Sequence, residues 1–171
     1  MKQTLLRIAL VLAAAAVIVA VTQYAARRYM ARGLGDRVVA DGAAAMAYAP
    51  ELARFDADGL EGLANAAANA DVTIATVARR QIDVLLNRWN GLEATRLDFD
   101  ATDRRLELAR RLKANAARYT PSGRTWLGKA AERIVAGESD AGQEVLPLIA
   151  LADELIDISR QRSDVVDLMP A

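Results

Sequence analysis

The chain has 171 residues, with 22 Lys and Arg against 22 Asp and Glu, and it contains no Cys and no His. The missing Cys excludes disulfides and Cys-ligated metal sites, and the missing His removes the commonest general base and transition-metal ligand, so we expect no catalytic residue, no metal site and no cofactor. Residues 38–171 carry 16 basic and 21 acidic side chains, a net charge of −5, which argues against nucleic acid as a partner.

An uncharged apolar segment near the N-terminus predicts a membrane anchor. Residues 8–26, IALVLAAAAVIVAVTQYAA, would form a helix of ~28 Å, close to the ~30 Å hydrocarbon core of a bilayer. Arg7 precedes the segment and Arg27 follows it, where both can reach the interfaces. We therefore predict a single-pass anchor at residues 1–33. A cleaved signal peptide is the alternative, although no good small-x-small cleavage site follows the apolar run.

The orientation of this anchor is not decided by the positive-inside rule, because basic groups flank both ends. They are Lys2 and Arg7 on one side and Arg27, Arg28, Arg32 and Arg37 on the other. A short N-terminal tail before a long apolar run is typical of an anchor whose N-terminus stays in the cytoplasm. We therefore expect residues 34–171 to be extracytoplasmic.

Residues 34–171 predict one all-α domain, because they are rich in Ala and lack the period-two alternation of strands. Gly33 and Gly35 are expected to interrupt the membrane helix, Asp36 to cap the next helix, and Pro50 to follow its end. Six helices are predicted, at residues 36–48, 59–69, 72–90, 102–119, 124–136 and 141–162. Short polar turns between them indicate antiparallel hairpins.

One of these hairpins has a pattern of apolar and acidic positions that resembles a HEAT repeat. The pattern consists of Leu60, Leu63 and Ala67 on a first helix, Asp71 in the turn, and Ile74, Ala75, Ala78, Ile82 and Leu85 on a second. The whole chain also resembles bacterial proteins that combine an N-terminal anchor with HEAT-like helices. The resemblance implies a short solenoid with a rigid curved surface that binds another protein. A compact helical bundle is the alternative fold.

The candidate binding residues are three arginines. Arg104, Arg111 and Arg118 are seven residues apart, so they share one side of the predicted 102–119 helix. This basic ridge could bind an acidic partner, carboxylates or anionic lipid head groups, or it could face the acidic last helix within the protein. The carboxylates of DFDATD, residues 98–103, are expected to cap a helix rather than to bind a cation. Trp89 and Trp126 lie on apolar stripes and are expected to pack in the core or between hairpins.

These observations predict a membrane-anchored helical scaffold or protein-interaction module at the cell envelope, with a protein partner and no small-molecule substrate. A helical-bundle sensor of a small ligand or of the envelope state is one alternative, and it would need a buried pocket with convergent polar groups. An enzyme that uses paired carboxylates is the other. Asp153 and Asp157, which share a helix face, would be its candidates.

Overall fold

The computed structural model describes residues 2–92, 99–136 and 146–160, and the side chains within those ranges except residues 2–11, 92, 99 and 100. The described residues form seven α-helices and no strand, which confirms the all-α prediction. The helices are α1 (Lys2–Val38), α2 (Gly42–Arg54), α3 (Leu60–Ala67), α4 (Val72–Leu92), α5 (Phe99–Ala114), α6 (Pro121–Ile134) and α7 (Leu146–Arg160), with 3-10 turns at Asp56–Gly59 and Ala116–Arg118.

The first helix is longer than predicted, because the glycines do not interrupt it. It continues through Gly33 and Gly35 to Val38, and it crosses the predicted boundary between the anchor and the helical domain. An isolated glycine costs a helix only about 1 kcal/mol, which packing can outweigh. Gly35 is placed where α1 meets α3, while Gly33 faces open space. The segment predicted as an anchor and the start of the helical domain therefore share one continuous helix.

The two halves of α1 differ in burial. Residues 12–30 are all exposed, including apolar side chains such as Leu12, Val17 and Ile18, which are 61–65% exposed. The second half is partly covered by the domain, with Ala31 and Val38 buried. No helix among the residues that the structure describes is long and apolar enough to cross a membrane. The predicted span starts at Ile8, and the side chains of residues 8–11 lie outside the described residues.

The second helix begins later and ends later than predicted. Its N-cap is Asp41, whose Oδ1 accepts from the Ala44 amide at 2.7 Å, and not Asp36, which lies inside α1. Pro50 lies inside the helix, one turn before its end at Arg54. Proline removes a backbone donor and leaves the carbonyl four residues earlier unpaired. Here that carbonyl belongs to the exposed Met46, so solvent can satisfy it.

The hairpin formed by α3 and α4 agrees closely with its prediction. Asp71 caps α4, because its Oδ1 accepts from the amides of Thr73 at 2.7 Å and Ile74 at 3.2 Å. Two details differ. Gly91, which the sequence predicts to end the second helix, lies inside α4, and Asp56 and Asp58, either of which the sequence predicts to cap the first helix, make no capping hydrogen bond to the start of α3. They form ion pairs with other helices instead.

The C-terminal helices begin earlier or end earlier than predicted. The 102–119 helix begins at Phe99 and ends at Ala114, so Asp100 and Asp103 lie within it and do not cap it. The segment TPSG, residues 120–123, which the sequence predicts to break the 102–119 helix, also begins α6. Thr120 caps α6 by accepting from the Gly123 amide at 3.3 Å, and Pro121 takes the first helical position. Pro147 lies in the first turn of α7. Residues 141–145 and 161–162 of the predicted last helix lie outside the described part of the chain.

The helices pack in two layers that follow their order in the chain. In one layer α1 packs on α3, α3 on α5 and α5 on α7; in the other α2 packs on α4 and α4 on α6. Contacts between neighbours in sequence, α1 with α2, α3 with α4 and α6 with α7, join the layers. One core of aliphatic side chains and the fully buried Trp89 fills the space between the layers. This arrangement makes the odd-numbered helices one exposed face of the domain.

Candidate functional site

The predicted basic ridge lies on that odd-numbered face, and its members have partners within the chain. Arg104 pairs with Asp56 at 2.7 Å, and Arg111 pairs with Glu61 at 3.3 Å and with Glu107 at 2.7 Å. The first two ion pairs join α5 to α3 and to the 3-10 turn before it. The ridge therefore connects helices of one layer, which is an ordinary structural use of a charged stripe.

The third ridge residue is not on the same helix as the other two, because α5 ends at Ala114. Arg118 lies in the 3-10 turn after α5, and its Nη1 donates to the Asn115 Oδ1 at 2.9 Å. An ion pair between α5 and the acidic last helix is present at one described position, where Lys113, which is not a ridge residue, contacts Glu154. Three of the acids that make this C-terminal part of the sequence acidic, Glu144, Asp164 and Asp167, lie outside the described residues.

Two pockets open along α1, α3 and α5, each with a volume of about 210 Å³. We call one the Tyr24 pocket; it is lined by Tyr24, Arg28, Arg32, Ala57, Asp58, Glu61, Glu107 and Arg111. The other is the Asn65 pocket, lined by Ala31, Arg32, Gly35, Asp36, Val39, Asp58, Glu61, Gly62, Asn65 and Arg118. Both pockets share Arg32, Asp58 and Glu61, so they form one polar groove.

The groove contains both paired and unpaired charges. Asp58 pairs with Arg27 at 3.4 Å, while Glu61 and Glu107 pair with Arg111. Arg28 and Arg32 make no hydrogen bond or ion pair to any residue that the structure describes. Sequence reasoning placed these two arginines at the end of the anchor but gave no sign that they border a pocket, because α3 and α5 supply its other walls.

A second cluster of interest surrounds the partly buried Arg79. Its Nε donates to the Ala67 carbonyl at 3.0 Å, and its guanidinium lies 5.9 Å from the Tyr119 ring and 5.7 Å from the Trp126 ring. Arg79 thereby links the α3–α4 hairpin to the start of α6. Trp126 is part of this cluster, and its Nε1 donates to Asp83 at 3.4 Å, so the expectation of a packing role for this residue is confirmed.

Burial shifts the pKa of two residues in this cluster, Tyr119 and Arg79. It raises the pKa of Tyr119 above its ordinary value, and the charges of Arg79 and Arg118 oppose that rise. It also lowers the pKa of Arg79, against the opposing effect of Tyr119. The Tyr119 hydroxyl has no hydrogen-bond partner among the described residues. Arg79 and Tyr119 contact each other between the helices, and neither lines the Tyr24 pocket or the Asn65 pocket.

A buried arginine was not anticipated. Arg105 is fully buried and its Nη1 donates to the Ile134 carbonyl at the end of α6, at 3.3 Å. A cation near the last carbonyls of a helix complements the helix dipole. Its neighbour in sequence, Arg104, forms an ion pair with Asp56 in the 3-10 turn before α3. The two adjacent arginines therefore contact different parts of the fold. The local sequence does not show which of these two arginines is buried, because the burial of Arg105 depends on its contact with α6.

The remaining candidates do not converge on a site. Asp153 and Asp157 are exposed on α7 and line neither described pocket. No group of three or more acidic side chains suited to a metal ion occurs in the described ranges, and part of DFDATD lies outside them. The chain matches no protein-family model, no curated protein and no solved structure. The groove is therefore the best-defined candidate site.

Proposed function

We propose that this chain is a single-pass, membrane-anchored helical scaffold of the cell envelope, whose HEAT-like domain binds another protein. The observation that carries the proposal is the division of α1. Its N-terminal half presents uncovered apolar side chains, and its C-terminal half is built into the domain core. Residues 8–26 would insert into the bilayer, since an exposed apolar surface of this kind needs a lipid or protein cover.

The order of the helical layers supports a HEAT-like stack over a compact bundle. In a stack each hairpin contacts the next one, so first helices follow first helices and second helices follow second helices. Helices α1 to α6 follow this order, with α7 covering the last pair. Three hairpins reach the number that repeat stacks usually need. Asp71, the turn acid of the resemblance, acts as a helix cap.

The continuity of α1 gives the scaffold a specific property. A helix that leaves the bilayer and enters the core without a linker would fix the orientation of the domain relative to the membrane. A partner bound to the layers of helices would then be held at a set distance from the lipid surface. Such a role requires no catalytic residue, which agrees with a composition that lacks both Cys and His.

Protease protection tests this function. An epitope tag would be placed after Ala171 in the full chain, and protease would be added to intact cells, to spheroplasts and to detergent-treated spheroplasts. We expect the tag to be cut in spheroplasts and the chain to stay with membranes after carbonate extraction. Release by carbonate would contradict the anchor. A tag that is cut only after detergent would place the domain in the cytoplasm and contradict the extracytoplasmic orientation.

A further inference from the structure

The two unpaired arginines of the groove lie on one face of α1. Tyr24, Arg28 and Arg32 follow one another at four-residue spacing, so their side chains stack along one side of the helix. All three line the Tyr24 pocket. Neither guanidinium has an ion-pair partner among the described residues, and both residues are exposed.

The carboxylates of the Tyr24 pocket are already neutralised. Asp58 is paired with Arg27, Glu61 with Arg111, and Glu107 with Arg110 and Arg111. Counting the pocket and its direct ion-pair partners gives five arginines, at 27, 28, 32, 110 and 111, against three acids, at 58, 61 and 107. The difference of two positive charges corresponds to the unpaired arginines. An anion is therefore the ligand that this pocket favours.

The position of the pocket selects the kind of anion. Tyr24 lies within the uncharged segment 8–26, two residues before its end, so the pocket opens beside the level where the proposed anchor would leave the bilayer. Tyrosine is enriched at that level, and phosphate groups of lipids lie there. The volume of about 210 Å³ is below the ~300 Å³ at which small-molecule pockets usually begin. It suits a head group whose acyl chains remain outside, along the apolar half of α1.

We propose that the Tyr24 pocket binds the phosphate head group of an anionic phospholipid, with Arg28 and Arg32 as its ligands. This inference rests on the proposed membrane anchorage and adds lipid selectivity to it. Two guanidiniums one helical turn apart can each donate to phosphate oxygens, and arginine forms bidentate bonds with phosphate. The bound lipid would hold the domain against a negatively charged membrane surface.

The test uses the purified full chain in a neutral detergent and native mass spectrometry. The probe is dihexanoyl phosphatidylglycerol, compared with zwitterionic dihexanoyl phosphatidylcholine. We expect tighter binding of the anionic lipid, and binding roughly 5- to 30-fold weaker in the double variant Arg28→Gln and Arg32→Gln. The matched control, Arg80→Gln with Arg160→Gln, removes the same charge from exposed positions that line neither pocket, and we expect it to bind like the parent chain.

Three results would overturn the inference. Equal binding by the parent chain and the double variant would show that these arginines are not the ligands. Equally tight binding of glycerol 3-phosphate would identify a free-phosphate site, and equally tight binding of a polyglutamate peptide would identify an acidic protein segment. Carbonate extraction of the same variants separates the two proposals: a chain that stays in membranes without lipid preference refutes only the lipid site, whereas a chain that is extracted refutes the anchor as well.

Discussion

Gly35 in α1 and Gly62 in α3 bring the backbones of the two helices almost into contact. A Cβ atom added to Gly62 would lie 2.8 Å from the Gly35 Cα, and one added to Gly35 would lie 3.1 Å from the Gly62 Cα. Side chains of any size at this crossing would force the helices apart. The two glycines therefore let α1 pack closely on the domain, and this crossing connects the proposed anchor to the helical layers.

Replacing Gly62 by Ala should weaken the fold, because the added methyl group overlaps the backbone of α1. We expect Gly62→Ala to lower the free energy of unfolding by about 1–3 kcal/mol, as overpacked sites usually do. Urea unfolding of the full chain in detergent, followed by circular dichroism, would measure it. Gly33→Ala is the control: nothing lies within 4 Å of its Cβ position, and we expect a gain of about 0.5–1 kcal/mol from helix propensity. Equal effects of both changes would contradict the close crossing.

The Arg79 cluster should contribute more to stability than a surface arginine. Arg79→Ala removes a hydrogen bond to Ala67 and two ring contacts, so we expect a loss of about 1–3 kcal/mol in the free energy of unfolding. The control is Arg80→Ala, which changes an exposed neighbour in the same helix and should stay within about 0.5 kcal/mol. If both variants unfold at the same urea concentration, the cluster is not an energetic link between hairpins.

The stability cost of a substitution at Gly123 should depend on Arg79. A Cβ atom on Gly123 would lie 2.5 Å from the Arg79 Nη2, so Gly123→Ala must displace the guanidinium from its place beside the Tyr119 ring. We expect Gly123→Ala to destabilise the parent chain but to cost less in the Arg79→Ala background. The same unfolding assay gives this double-mutant cycle. Strictly additive effects would show that the methyl group does not act through Arg79.

The buried phenol of Tyr119 should make the fold sensitive to alkaline pH. Because its pKa is raised in the folded state, the folded chain holds this proton more tightly than the unfolded chain. The stabilisation is therefore complete below the ordinary tyrosine pKa of about 10 and is lost as the pH rises above it. We expect the free energy of unfolding to fall between about pH 9.5 and 11, and to fall less in Tyr119→Phe. Identical pH profiles would contradict this assignment.

The ion pair between Arg104 and Asp56 tests whether the basic ridge has an internal role. Both side chains are about one quarter exposed, at 26% and 23%, so solvent screening limits the pair to about 0.2–1 kcal/mol. A double-mutant cycle with Arg104→Gln and Asp56→Asn should give a coupling energy in that range. Asn is suitable because Asp56 has a φ of 54°, which Asn tolerates and most residues do not. Arg110→Gln paired with Asp56→Asn is the control, with no coupling expected.

The predictions from sequence succeeded where the signal is local. The start of α4 follows from Asp71, whose carboxylate caps the amides two and three residues ahead, and this contact needs nothing from the rest of the fold. The predicted end of the first helix was wrong, because Gly33 and Gly35 were interpreted as helix breaks. A glycine stops a helix only where no packing favours its continuation, and Gly35 is held by α3. Tertiary packing of this kind is not visible in a local window.

The candidate site shows the same division. Seven-residue spacing predicted Arg104, Arg111 and Arg118 on one helix, but Arg118 lies in the 3-10 turn after α5. The partners of the other two, Asp56 and Glu61, come from α3 and the 3-10 turn before it, about fifty residues away in sequence. Charge patterns on a single helix cannot reveal such partners. The Tyr24 pocket requires α1, α3 and α5 to lie side by side, so its arginines were interpreted only as flanking residues of the anchor.

The exposed half of α1 allows membrane insertion to be separated from folding. Val17 and Ile18 are 61% and 65% exposed, so replacing both by Arg removes no packing contact in the domain. In a bilayer, however, each Arg near the centre of a span costs about 2.5–3.5 kcal/mol. We expect the Val17→Arg, Ile18→Arg variant to unfold in urea like the parent chain but to be extracted from membranes by carbonate. Val72→Arg, at an apolar position of α4 that is 76% exposed, should change neither property. If the α1 variant instead destabilised the domain, its apolar half would be a packing surface of the protein, and the proposed anchor would lose its structural basis.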